Sequence, residues 1–127
     1  AVKRVTGGKG VDVVYDPVGD RFAEPAMRDM AWGGRYLVIG FAGGEIPKIP
    51  LNLPLLKGFS IVGVFWGSFT RKEPQKHEAN VRELLGWIAG GKLKPLVSAA
   101  YPLAQAARAL KDVKERKAKG KVVLVAG

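Results

Sequence analysis

Two glycine-lysine clusters have the composition that can cradle phosphate. Gly86 to Lys92 (GWIAGGK) places two glycines with four residues between them and then a lysine, which is the spacing of a phosphate loop. Leu93 stands where Ser or Thr would hold a metal ion, and the segment ends a helical run. A phosphate loop must instead open a helix, so that N–H groups converge on the anion. Gly7-Gly8-Lys9-Gly10 likewise precedes a strand-like run and opens no helix, so it lacks the context of a dinucleotide fingerprint. Acid-base chemistry fares no better. No catalytic motif spacing includes His77. Asp16, Asp20 and Glu24 flank a strand end and a helix start, where carboxylates are favoured electrostatically. The chain has no cysteine and one histidine, which excludes disulfides and a zinc site built from Cys and His. No catalytic side chain and no metal ligand is nominated. What remains is three segments rich in small residues: Pro17-Val18-Gly19, Ala42-Gly43-Gly44 and Phe65-Trp66-Gly67. If each follows a parallel strand, all three border the crevice where open sheets bind ligands.

The elements that must position them can be read from patterning. Val11 to Tyr15 (VDVVY) is a β-branched run closed by Asp16-Pro17, and proline removes a ladder donor. Arg21 to Trp32 carries Phe22, Ala26, Met27, Met30 and Ala31 at helical spacing before Gly33-Gly34, which predicts an amphipathic helix of about three turns. Tyr36 to Phe41 (YLVIGF) is nearly continuous in apolar character, as in a strand covered on both faces. Residues 46–54 hold three prolines and read as an extended loop. Ser60 to Trp66 (SIVGVFW) reads as a third strand. Val81, Leu84, Leu85 and Ile88 predict that Pro74 to Ala89 contains a core-facing helix, closed by Gly90-Gly91. A second helix starts at Pro102, and Lys121 to Ala126 is a terminal strand. Strands alternating with helices indicate an α/β fold with a mainly parallel sheet. The length of 127 residues suits one domain.

A formal charge of +10 raises a polyanion as a partner. The excess is concentrated: Arg108 to Lys121 contains seven basic residues against Asp112 and Glu115. Cations there complement a helix dipole, and no recognition helix or stacking motif accompanies them, which argues against nucleic acid. No apolar run reaches the ~18 residues of a membrane span, so a cytoplasmic setting without membrane partners is expected.

Taken together, GVDVVYDPVG, AWGGRYLVIGFAGGEIPKIPLNLPLLKG, SIVGVFWG, PLAQAARAL and GKVVLVAG, in that order, resemble the C-terminal portion of the quinone-oxidoreductase-like, zinc-independent branch of the medium-chain dehydrogenase/reductase family. The resemblance covers essentially the whole chain. It implies a partial Rossmann-like fold: the later half of a doubly wound parallel sheet with flanking helices and a returning C-terminal strand. The GroES-like catalytic domain and the first Rossmann half, with its pyrophosphate turn, would lie outside these residues.

The resemblance further implies an NADPH-dependent oxidoreductase that transfers hydride to a quinone or related α,β-unsaturated carbonyl. Val18 and Gly19 would then flank the adenosine side of the NADP crevice. Gly40, Phe41, Ala42 and Gly43 would meet the nicotinamide-ribose half, and Phe65, Trp66 and Gly67 would offer backbone hydrogen bonds to the carboxamide. Without the pyrophosphate turn, the 127-residue chain alone is expected to bind NADP weakly and to be inactive. A homodimer through strand 60–66 is expected, because family members associate there. One departure is local: the family commonly has two glycines after DPV, whereas Gly19 is followed here by Asp20. Two alternatives stay open at this point, an enoyl-reductase module of the same superfamily and a non-catalytic basic binding module.

Overall fold

The computed structural model describes residues 1–126, which divide into two compact units, Ala1–Pro74 and the described residues from Gln75 onward. In the first unit, a short helix α1 (Val2–Val5) precedes strand β1 (Val11–Asp16). Helix α2 (Ala23–Arg28), strand β2 (Met30–Val38), helix α3 (Asn52–Lys57), strand β3 (Ser60–Gly63) and helix α4 (Trp66–Lys72) follow. The three strands form one parallel sheet in the order β1-β2-β3. Two crossovers carrying helices produce that arrangement, so all three strand C-termini lie at one end.

The predicted helix over Arg21 to Trp32 is shorter than its periodicity suggested. A 3₁₀ turn covers Asp20–Phe22, α2 stops at Arg28, and Met30 already opens β2. The cause is that Met30 and Ala31 are core residues in either conformation, at 2% and 1% exposure. Gly33 and Gly34 do not stop a helix; they let β2 bulge, and the register with β1 jumps from Val11–Met30 to Val13–Arg35. Gly33 has φ +72°, and its N–H donates to the Gly58 carbonyl at 2.8 Å. Ala23, Met27, Met30, Tyr36, Leu53 and Phe59 form the core, so α2 and α3 cover the same region of the sheet.

Two further boundaries differ from expectation. The proline-rich segment ends in α3, where Pro54 occupies the first turn and lacks an N–H that would have had no helical partner. Gly58, at φ +61°, provides the left-handed stop. The strand expected over 60–66 ends at Gly63. The N–H of Val64 makes a last bond to the Val38 carbonyl at 2.9 Å, and Phe65 then caps α4. Apolar Phe65 and Trp66 extended the strand in the sequence pattern, but both leave the sheet.

The second unit contains helix α5 (Pro74–Ala89), strand β4 (Val97–Pro102), helix α6 (Ala106–Lys114) and strand β5 (Lys121–Val125). Helix α5 fills the whole segment in which a helix is expected, but its apolar face is exposed rather than core-facing, Leu85 by 59%. Strand β4 has no sequence signal, because Ala99 and Ala100 carry neither alternation nor β-branching. It pairs in parallel with β5, Tyr101 opposite Leu124. The Tyr101 hydroxyl donates to Asp112 Oδ2 at 2.6 Å, which ties β4 to α6.

Candidate functional site

All nine residues expected to meet a cofactor lie in the first unit, around the C-terminal ends of its strands. The organising group is Asp16, the last residue of β1. Its Oδ1 accepts the N–H groups of Val18 and Gly19, both at 2.8 Å, while its Oδ2 accepts the hydroxyl of Tyr36. The register that sets Val14 opposite Tyr36 brings that phenol under the strand end. The main-chain carbonyl of Asp16 takes the N–H of Ile39 at 2.9 Å and of Gly40 at 3.3 Å. Beyond it, Ala42 donates to Pro17 at 3.0 Å and Gly43 to Val18 at 2.9 Å. The exit loops of β1 and β2 are therefore laced together along their backbones.

Glycine is required at two points of that lacing. A Cβ on Gly19 would lie 2.8 Å from Phe41 Cδ1, and one on Gly43 would lie 2.6 Å from the Asp20 Cβ and 3.0 Å from the Val18 carbonyl oxygen. Val18, Gly19, Ala42 and Gly43 thus serve first as contact between two loops. Gly40, Phe41 and Phe65 line a separate open groove of about 360 Å³ with Val38, Gly63 and Val64. Its walls are apolar, Phe65 is 73% exposed, and open space surrounds the Gly63 Cβ position. Trp66 and Gly67 start α4 and are not among the groove residues. The Trp66 ring packs on Phe69 with centroids 5.3 Å apart, and the Phe65 carbonyl accepts the N–H groups of Ser68 and Phe69.

Sequence reasoning missed the Asp16–Tyr36 pair. Two signals pointed to it: an Asp-Pro step at a strand end, and a tyrosine inside a strand, whose buried hydroxyl needs a partner. Burial pushes the Asp16 carboxyl up, but the bonds from Tyr36, Gly19 and Val18 outweigh it and leave the group below the usual carboxylate value. Burial, followed by the hydrogen bond and the negative charge of Asp16, raises the Tyr36 phenol far above its ordinary 10.0. A phenol raised by folding contributes stability that is complete below pH 10 and is lost as pH climbs toward the folded-state value. Above pH 10, the first unit is therefore expected to lose stability with a steeper slope than its Tyr36→Phe variant. Denaturation midpoints compared across pH 9 to 12 check this, and parallel slopes would refute it.

Asp20 has φ +55°, a backbone that glycine adopts freely and aspartate adopts at a smaller cost than most other residues. The conformation of a second glycine is thus retained with a carboxylate in its place. Asp20→Gly is expected to raise stability by up to ~1 kcal/mol through relieved strain, less the bond from the Arg21 N–H to Asp20 Oδ1 at 2.6 Å. A urea midpoint below that of the parent would contradict it.

The family model described as zinc-binding dehydrogenase matches residues 1–124. The chain belongs to the zinc-binding dehydrogenase family. Among its relatives is the quinone oxidoreductase-like protein 2 homolog of Nematostella vectensis, 38% identical over 124 residues, covering 97% of this chain and 34% of the relative. The chain spans about a third of the length of the curated relatives it matches. A mycobacterial quinone oxidoreductase structure is 31% identical with a TM-score of 0.83, covering 98% of this chain and 38% of that one. Escherichia coli quinone oxidoreductase complexed with NADPH is 29% identical with a TM-score of 0.80, covering 98% and 39% respectively. The Rossmann-like expectation agrees with these neighbours and with the parallel sheets.

Zinc, which the family's name implies, does not fit these residues. The chain has no cysteine, and no group of three His, Asp or Glu side chains among the described residues could hold a metal ion. The chemistry assigned to this chain therefore has no step through a metal.

Proposed function

We propose that this chain forms the nicotinamide side of an NADPH site in an oxidoreductase that passes hydride to a quinone or a related α,β-unsaturated carbonyl. The observation that carries the reading is the apolar groove at the ends of two adjacent parallel strands, open where Gly63 lacks a side chain. Strand C-termini of an open parallel sheet are where such ligands bind. A planar, weakly polar ring matches a wall built from Gly40, Phe41, Val64 and Phe65. The relatives named quinone oxidoreductase, one of them complexed with NADPH, support the cofactor and the substrate class.

The bound cofactor would supply the hydride, and the protein supplies position and an apolar surface. Val38, Gly40, Phe41, Gly63, Val64 and Phe65 carry no ionisable group, so the groove offers no competing proton. Val18, Gly19, Ala42 and Gly43 hold the rim, and the first turn of α4, with Trp66 and Gly67, borders it in sequence. The acceptor pocket and the pyrophosphate turn would be built by residues outside these 127. We assign the homodimer contact to the exposed edge strand β3, four residues long, and the setting to the cytoplasm. No helix among the described residues is long and apolar enough to cross a membrane.

Titration of the ¹⁵N-labelled chain with NADPH tests the assignment. Weak, saturable shifts at Gly40, Phe41, Gly63 and Phe65 in the millimolar range are expected. Shifts scattered outside the groove, or none at saturating cofactor, would overturn it.

A further inference from the structure

Tyr36 is 1% exposed, and a hydroxyl is costly to bury in an apolar core unless it is bonded. Its hydroxyl reaches Asp16 Oδ2, and the other oxygen of the same carboxylate is committed to Val18 and Gly19. A free carboxylate on a strand end would rotate. This one is held from below by the phenol and from above by two N–H groups. The consequence continues outward, since Gly19 sits so close to the Phe41 ring that no Cβ fits between them, and Phe41 is a wall of the groove.

We infer that Asp16 and Tyr36 are a positioning pair for the groove: the phenol fixes the carboxylate, the carboxylate fixes Val18 and Gly19, and Gly19 fixes the seat of Phe41. Neither residue lines the groove, so neither is a catalytic residue. The functional part of the inference rests on the groove's binding a nicotinamide cofactor, whereas the mechanical part does not.

Amide exchange in the full 127-residue chain separates the two. In Asp16→Ala and Tyr36→Phe, the Val18 and Gly19 amides are expected to exchange about tenfold faster, the effect of losing one charge-assisted hydrogen bond. Val14 and Leu37, in the ladder between β1 and β2, should keep their rates. Asp16→Asn retains an oxygen for Val18 and Gly19 and an N–H for the Tyr36 oxygen, so it should restore slow exchange. Tyr36→Phe keeps the ring in the core and serves if Asp16→Ala does not fold. Unchanged exchange at Val18 and Gly19, an equal rise at Val14 and Leu37, or an Asn variant as fast as the Ala variant would each overturn the inference. NADPH titration of the same samples should show the Phe41 shift weakened about tenfold in Tyr36→Phe. A parent chain in which NADPH moves no groove resonance removes the cofactor reading, and the exchange rates still decide the pair.

Discussion

Gly10→Ala is expected to destabilise the first unit by about 2–5 kcal/mol, a large share of the 5–15 kcal/mol that holds a typical domain folded. Two costs add. Gly10 is at φ +88°, and a non-glycine residue in the left-handed region costs roughly 1–2 kcal/mol. The new methyl would also lie 2.5 Å from the Asp29 carbonyl oxygen, 2.9 Å from the Met30 carbonyl carbon and 3.0 Å from the Ala31 nitrogen. All three are backbone atoms at the passage from α2 into β2, so no side chain can swing aside. Relief requires β1 to move off β2, which would break the bond from the Val11 N–H to that same Asp29 carbonyl, 2.9 Å long. Overpacking of this kind costs about 1–3 kcal/mol or more.

Gly7 provides the control, because it is also left-handed, at φ +59°, and has nothing within 4 Å of its Cβ position. Gly7→Ala should cost only the backbone strain, about 1 kcal/mol. Amide exchange at Val14 and Tyr36 reports on this unit without the second one contributing. Gly10→Ala and Gly7→Ala variants equal to within 1 kcal/mol would contradict the clash.

What the sequence made legible depends on the range of each interaction. Helix α5 is legible because Val81, Leu84, Leu85 and Ile88 repeat within one local segment and Gly90-Gly91 closes it. Whether its apolar face is covered depends on distant residues, and there the reading failed. Met30 and Ala31 misled for a related reason: a buried position satisfies helical period and strand alike. Strand β4 exists through pairing with β5, more than 20 residues away, and Ala99 and Ala100 give no local hint of it. The end of β1 was legible through Asp16-Pro17, whereas β2 and β3 end at Val38 and Gly63, before the apolar runs that continue to Phe41 and Trp66. The link between Asp16 and Tyr36 was not legible, since twenty residues separate them and only the sheet register puts one under the other. The same holds for Gly19 against Phe41. Small residues at strand tips announce that something must approach closely, and at Gly19 and Gly43 the approaching group is the neighbouring loop.

Gly63 differs from Gly19 and Gly43 in that no neighbouring loop approaches it. It belongs to β3 opposite Val38, it lines the groove, and a Cβ there would meet nothing within 4 Å. A β-branched side chain suits an extended edge strand, so Gly63→Val should leave stability within about 0.5 kcal/mol of the parent, or slightly above it. Its methyl groups would instead occupy space that a planar ring needs. Binding of NADPH by the labelled chain is then expected to fall at least tenfold, about 1.4 kcal/mol, with the shifts at Phe41 and Phe65 lost first. Ser60→Val adds the same side chain to the same edge strand outside the groove lining, and it should leave NADPH binding unchanged. A Gly63→Val chain that folds and still shows the parental titration would mean that the nicotinamide does not lie over this strand end. A loss shared equally by Ser60→Val would trace the effect to the β3 edge rather than to the groove.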